Sequence, residues 1–369
     1  MRRRPTRPRI GPAAAWALAW SVTAAPGVLA QDPPPTPEER EALAAAAEAA
    51  PLFATDAPLV MTLTTRIDWL RDDRPDEEEA DGTITYLDGD AAPVTVDVEV
   101  RTRGNFRRSK RNCNFPPLRL DLPRSRVEGT VFAGQNRLKL VTPCHDSRDD
   151  YQQYVLKEYL AYRVLQLLTP FSFRVRLVDI TYVDVEDEYE TRTKTGFLIE
   201  SDEAMAHRNG GTMMDLAQLH PAHADDRQSW VVALFQYMIG NTDWSGAFFH
   251  NVELVRTVDG RYMPVPYDFD FSGLVNARYA TPPPQVNIRN VRQRAFRGFC
   301  RPTVDHADLA RQFQSIRDEL GPLFGTVAGL EDRELERGLE YLDEFWEVLE
   351  DQGKYEREIL RECREMPGD

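Results

Sequence analysis

Apolar residues alternate one by one through several runs between Leu59 and Ile199, then recur every three to four residues over much of the remaining chain. A strand points successive side chains to opposite faces, whereas a helix returns to one face after three or four. The first half must therefore build a sheet and the second half a set of helices. Leu59, Met61 and Leu63 open the alternation. Ile84 to Leu87 and Val94 to Val100 continue it on either side of an acidic turn at Asp88-Gly89-Asp90. Leu118 to Leu122, Leu138 to Val141, Phe173 to Val185 and Thr195 to Ile199 supply the other strands. One helix interrupts them, from Tyr151 to Leu168, with Tyr154, Leu156, Tyr159, Leu160, Val164 and Leu167 on its buried side and Pro170 stopping it. The expectation is an α+β protein, with a mostly antiparallel β-rich part over 51–200 and a helical part over 201–369. In the second part a helix runs from Gln228 to Ile239 and ends at Gly240. A hairpin turns at Asp259-Gly260, and helices follow from about His306, where Leu335, Leu339, Leu342, Phe345 and Leu349 share a face. No internal repeat and no sustained heptad is present.

The first 30 residues read as an export signal. Five arginines and no acid precede an apolar run, and Val28-Leu29-Ala30 offers a small-residue cleavage site. Pro12, Pro26 and Gly27 break that run, so stable membrane insertion is not expected, with a retained anchor as the alternative. Residues 31–50 read as a Pro-rich spacer followed by an Ala-rich helix that starts at Thr36-Pro37-Glu38-Glu39. Loss of the signal takes the formal charge from −15 to −20. Such acidity excludes a nucleic-acid backbone as partner and disfavours anionic lipid. The expected location is periplasmic or secreted.

Four cysteines, Cys113, Cys144, Cys300 and Cys363, fit that destination, since an even number in an exported chain favours disulfides. Nearness within each half favours Cys113–Cys144 and Cys300–Cys363 among the three pairings that sequence allows. Zinc is disfavoured, because no C-x-x-C spacing exists.

Chemistry concentrates in two acid and amide clusters, 25 residues apart. The first is Gly240-Asn241-Thr242-Asp243-Trp244-Ser245 with His250-Asn251. The second is Tyr267-Asp268-Phe269-Asp270-Phe271. In an extended segment Asp268 and Asp270 would share a face about 7 Å apart. Two such carboxylates repel unless a cation or a hydrogen-bond network lies between them. All-oxygen ligands suit Mg²⁺ or Mn²⁺, with Ca²⁺ as a further candidate. A solvated pair is the alternative. A basic segment from Arg101 to Arg111 places six cations within eleven residues, around a tight turn at Gly104-Asn105. Arg103, Asn105 and Arg107 could hold phosphate there, or the segment could be a solvated loop. Lys139 alternates with leucines on its strand and could pair with Glu158 on the following helix. Glu200 and Asp202 fall where a hinge between the two parts would lie, within reach of a base or ribose. His220 and His223 lack a third ligand, and the histidines form no expected site. No glycine-rich phosphate loop and no serine-nucleophile motif is present.

In this order the motifs resemble those of the CotH-type spore-coat kinases. The resembling residues are Arg103-Gly104-Asn105, the strand Arg137 to Leu140, Asn241-Thr242-Asp243 and Tyr267 to Asp270, within roughly residues 95–275. The chain is also similar to a group of exported bacterial proteins that share the Gly240 to Ser245 and Tyr267 to Val275 stretches. The resemblance implies a protein-kinase-like two-lobed fold, with a mostly antiparallel β small lobe and a helical large lobe. It implies Asp243 as catalytic base, Asn251 and Asp268 as metal ligands, and Lys139 on the phosphates of ATP. The departures are a long gap from Asp243 to Asn251 and an acid, Asp270, where ordinary protein kinases have glycine.

The leading expectation is metal-dependent phosphoryl or nucleotidyl transfer from a nucleotide to a protein or carbohydrate hydroxyl. The alternatives are a non-catalytic envelope binding or assembly protein on the same scaffold, and a metal-dependent phosphohydrolase.

Overall fold

The computed structural model describes residues 35–368. The expected export signal, residues 1–30, lies outside them. The first helix, α1 (Pro37–Glu48), carries Glu38 and Glu39 in its first turn, where the helix dipole favours acids. Its last carbonyls, those of Ala47 and Glu48, accept hydrogen bonds from the Arg174 guanidinium.

Seven strands follow: β1 (Leu59–Thr65), β2 (Ala80–Leu87), β3 (Pro93–Thr102), β4 (Leu118–Asp121), β5 (Arg137–Val141), β6 (Val175–Asp184) and β7 (Arg192–Ile199). They close into a barrel in the order β1-β2-β3-β4-β5-β7-β6. Every pairing is antiparallel except the seam, where β1 runs parallel to β6 with Leu63 opposite Tyr182. The alternating apolar residues point inward. Leu63, Ile84, Val98, Val100, Leu120, Leu138, Leu140, Ile180 and Leu198 fill the barrel. A short helix, α2 (Ile67–Asp72), follows β1, and the long α3 (Asp150–Leu168) lies between β5 and β6 in sequence.

A second core forms outside the barrel. α3 packs Tyr159 and Tyr162 on the outward-facing Phe197 of β7. The same core takes in α4 (Asp202–Arg208), α5 (Asp226–Met238), α6 (His306–Ser315), α7 (Arg317–Gly325) and α8 (Asp332–Glu350). A three-stranded sheet of β8 (Gly211–Met213), β9 (Val252–Thr257) and β10 (Tyr262–Pro266) completes it, in the order β10-β9-β8.

This architecture overturns the kinase-like two-lobed expectation. The strands form a closed barrel, and the helices lie mostly in the C-terminal part. Period-two alternation reports that one face of each strand is buried. It does not report whether the two edge strands meet. Here the parallel β1–β6 seam removes both edges, which an open sheet would have exposed.

Both disulfides join the expected partners. Cys113 pairs with Cys144 and Cys300 with Cys363, at Cα separations of 4.7 and 5.0 Å. Such bonds persist in oxidising compartments, which is compatible with export. Among the described residues no helix is long and apolar enough to cross a membrane.

Candidate functional site

Four segments converge on one cleft of about 380 Å³: the turn after β3, the middle of α3, and the loops on either side of the β9–β10 hairpin. Arg103, Asn105, Arg107, Glu158, Asp243, Asn251, Asp268 and Asp270 all line it. Those eight were singled out by sequence, from positions up to 167 residues apart.

The Asp243 loop is shaped by the end of α5. Gly240 has φ 67°, and a Cβ there would overlap the Tyr341 hydroxyl, so only glycine fits. The Asn241 side chain accepts from the Asp243 backbone N–H at 3.0 Å and turns the chain towards the cleft. Asp243 is half-buried. Its Oδ1 lies 2.9 Å from His250 Nε2. Asn251 Nδ2 donates to the Asp243 carbonyl at 2.7 Å and to Oδ2 at 3.3 Å, which leaves the Asn251 Oδ1 for a ligand. His250 therefore belongs to the site, contrary to the expectation that the histidines form none. Its signal was adjacency to Asn251.

Asp268 and Asp270 both reach the cleft, but not by the extended geometry expected of them. Asp268 has φ 62°, in the left-handed region, and Asn251 has φ 54°. Two non-glycine residues held there at one cleft are the kind of strain that the surrounding structure must over-determine. The Tyr162 hydroxyl helps, accepting the Asp268 N–H at 2.9 Å. Asp270 is buried. Its Oδ2 accepts from the Tyr279 hydroxyl at 3.0 Å and lies 3.9 Å from Arg107 Nη1.

Arg107 is the buried cation of the site. Its guanidinium donates to the Thr142 carbonyl and lies 3.6 Å from Glu158. Burial works against its charge, but Tyr279, Asp270, Glu158 and Asp268 outweigh that and hold it protonated. Burial, and then the charge of Asp268, push Asp270 up to about 7 despite Arg107. Glu158 is pushed well above the usual range by burial and by Asp270. Two carboxylates share one guanidinium, so full ionisation of both is disfavoured.

Two expected residues lie elsewhere. Lys139 does not meet Glu158. The β5–β7 register sets it opposite Ile199, beside the start of α4, where its Nζ lies 2.7 Å from Asp202 Oδ1. Arg107 takes the place expected of Lys139 against Glu158. Glu200 is fully buried and accepts from Arg174 at 2.8 Å and from Arg208 at 3.1 Å. It has no free face for a nucleotide. Tyr162 and Tyr279 are site residues that sequence reasoning missed, since neither stands within the acid, amide or basic clusters.

The donor set at the cleft, two carboxylates and an amide oxygen, matches a hard divalent cation in type. Among the described residues, however, no three His, Cys, Asp or Glu side chains draw together as a metal-binding group. Arg107 meanwhile neutralises part of the acidic charge. No protein-family model, no curated protein and no solved structure matches the chain.

Proposed function

We propose that this cleft carries out phosphoryl transfer from a nucleotide to a hydroxyl of a protein or carbohydrate, in the periplasm or outside the cell. One observation carries the reading. Asp243, Asn251, Asp268 and Asp270 line the same cleft as Arg103, whose guanidinium has no carboxylate partner among the described residues. Acids to take a proton and a free cation to hold a phosphate are the parts that such transfer needs. Asp243 accepts the acceptor's proton, and the contact with His250 fixes its carboxylate. As the new O–P bond forms, the bond from the terminal phosphorus to the donor oxygen breaks. Arg103 orients the phosphates, while Arg107 stays committed to Glu158 and Asp270. Asn251, Asp268 and Asp270 would hold Mg²⁺ or Mn²⁺, which when bound would neutralise phosphate charge.

The test is a titration of ATP into oxidised protein with and without Mn²⁺, alongside turnover of ATP to ADP. Mn²⁺-dependent binding should weaken by about tenfold or more in Asp268→Ala. Asp243→Ala should keep binding and lose turnover, by about 100-fold or more. Wild-type protein that binds no nucleotide with any metal would remove this reading. A non-catalytic binding role would then stand, favoured by the internal neutralisation that Arg107 already supplies.

A further inference from the structure

A second cleft, of about 700 Å³, lies between the 285–288 loop, the 294–297 segment and the C-terminal segment 357–364. Arg297 and Arg364 both line it. Neither forms an ion pair with a carboxylate among the described residues. Among the described residues Arg297 donates only to the Thr242 carbonyl. Arg364 stacks on Phe299 at 4.2 Å, and its Nε is buried without a hydrogen-bond partner. The charge of Arg297 is favoured by the Asp243 carboxylate of the first site, whereas Arg364 has burial and Arg297 against it.

Apart from Glu362, the other charges at the second cleft are paired among the described residues. Arg294 pairs with Glu344 at 2.7 Å, and Arg357 with Glu358 at 3.3 Å. Glu358 also accepts the Tyr237 hydroxyl at 2.8 Å. Glu362 lines the cleft but pairs with neither free guanidinium. Burial, and then the nearby Arg297, lower the pKa of Arg364, and burial lowers that of Arg297 against the pull of Asp243. An anion bound between them would relieve both costs at once.

The backbone is set for this. The Cys300 N–H donates to the Arg364 carbonyl and the Arg364 N–H to the Gly298 carbonyl, both at 2.9 Å. The Cys300–Cys363 disulfide closes the same corner. The Arg364 backbone is therefore fixed, and less freedom is lost when a ligand is engaged.

We propose that Arg297 and Arg364 form a second binding site, separate from the cleft of Asp243, for a phosphate or sulfate ester. A tetrahedral oxyanion offers paired oxygens that two guanidinium forks can grip together. The cleft exceeds the size of a bare anion, so an ester on a sugar-sized group is the expected occupant. Because Arg297 also holds the carbonyl beside Asp243, an occupant here touches the frame of the first site.

The experiment follows the thermal unfolding of oxidised protein with inorganic phosphate, sulfate or a sugar phosphate, against chloride at matched ionic strength. A saturable rise beyond chloride is expected, with the sugar phosphate acting at the lowest concentration. A stronger response to sulfate would assign the site to sulfate esters. The rise should survive Arg103→Gln, which removes the free cation of the first cleft. Arg297→Gln or Arg364→Gln should raise the midpoint concentration by about tenfold or more. A rise equal to that in chloride, or one lost in Arg103→Gln but kept in Arg364→Gln, overturns the proposal. Selenate soaked into wild-type crystals tests it without any variant. An anomalous peak between Arg297 and Arg364 supports the site, and its absence there rules the site out.

Discussion

Asp270 gains its meaning from its neighbours. Buried beside Asp268 and Glu158 with a single guanidinium between them, it holds a proton up to about pH 7, against an ordinary value of 3.8. Between those values the folded state binds more protons than the unfolded chain, so stability falls as pH rises. The contribution is fully present below about 3.8 and is lost through about 7. Glu158 shifts in the same direction. In chelator-treated protein, urea unfolding should show wild type losing stability over this window more steeply than Asp270→Asn. Equal slopes would mean that Asp270 is ionised in the folded state. Glu200 makes the opposite point. Its buried carboxylate satisfies two half-buried guanidiniums, so Glu200→Ala should cost about 3–5 kcal/mol in urea unfolding and leave nucleotide affinity unchanged. A stable variant with weakened binding would return Glu200 to the site. The acids and amides of the cleft were legible because their residue types suit only a few roles and stood close in sequence. The partners of Lys139 and Glu200 were not, since they depend on strand register and on how β6 and α4 pack against the end of β7.

At the scale of elements, the loop from Arg103 to Cys113 decides whether the cleft has a cationic wall. It leaves β3 with the Arg103 N–H bonded to the Pro117 carbonyl at 3.0 Å. Cys144 then fastens its far end, and the Cys144 carbonyl accepts the Asn114 and Phe115 N–H groups. Arg74 also binds the loop through the carbonyls of Arg108 and Cys113. The disulfide spans 31 residues, a length for which the chain-entropy argument gives roughly 4 kcal/mol. Replacing Cys113 and Cys144 together by serine should lower stability by about that amount. It should also weaken phosphate-bearing ligands at the first cleft, as Arg103 and Arg107 lose their fixed positions. The second disulfide serves as control, because its loss should spare that cleft. If the Cys113/Cys144 variant bound normally, the hydrogen bonds of Arg74 alone would suffice to hold the loop. Nearness along the chain was enough to pair these cysteines. It could not show that one bond braces a binding loop.

At the scale of the molecule, the barrel and the helical part share β6 and β7. One face of β7 sends Leu198 into the barrel, while the other sets Phe197 and Ile199 against α3 and the second core. α3 extends that sharing, because Lys157 pairs with Glu334 of α8 and Gln153 binds the backbone at Gly329 and Glu331. The period-two pattern could not foresee this, for a strand buried on both faces alternates only where one face meets water. Neither core can lose its shared strands and keep its packing, so the two should unfold together. Trp230, Trp244 and Trp346 are buried in the helical core, whereas Trp69 packs against the barrel. The fluorescence of a Trp69→Phe background thus reports the helical part, while the strands dominate the barrel. Tryptophan fluorescence and strand-sensitive circular dichroism should therefore give coincident urea transitions. Leu138→Ala inside the barrel should shift both midpoints together, with a cost of about 2–5 kcal/mol. Separated transitions, or a fluorescence midpoint unmoved by Leu138→Ala, would mean that the barrel and the helical part are independent folding units. The cleft of Asp243 draws Arg103 from one and Asp268 from the other, so in that case it would assemble only when the two dock.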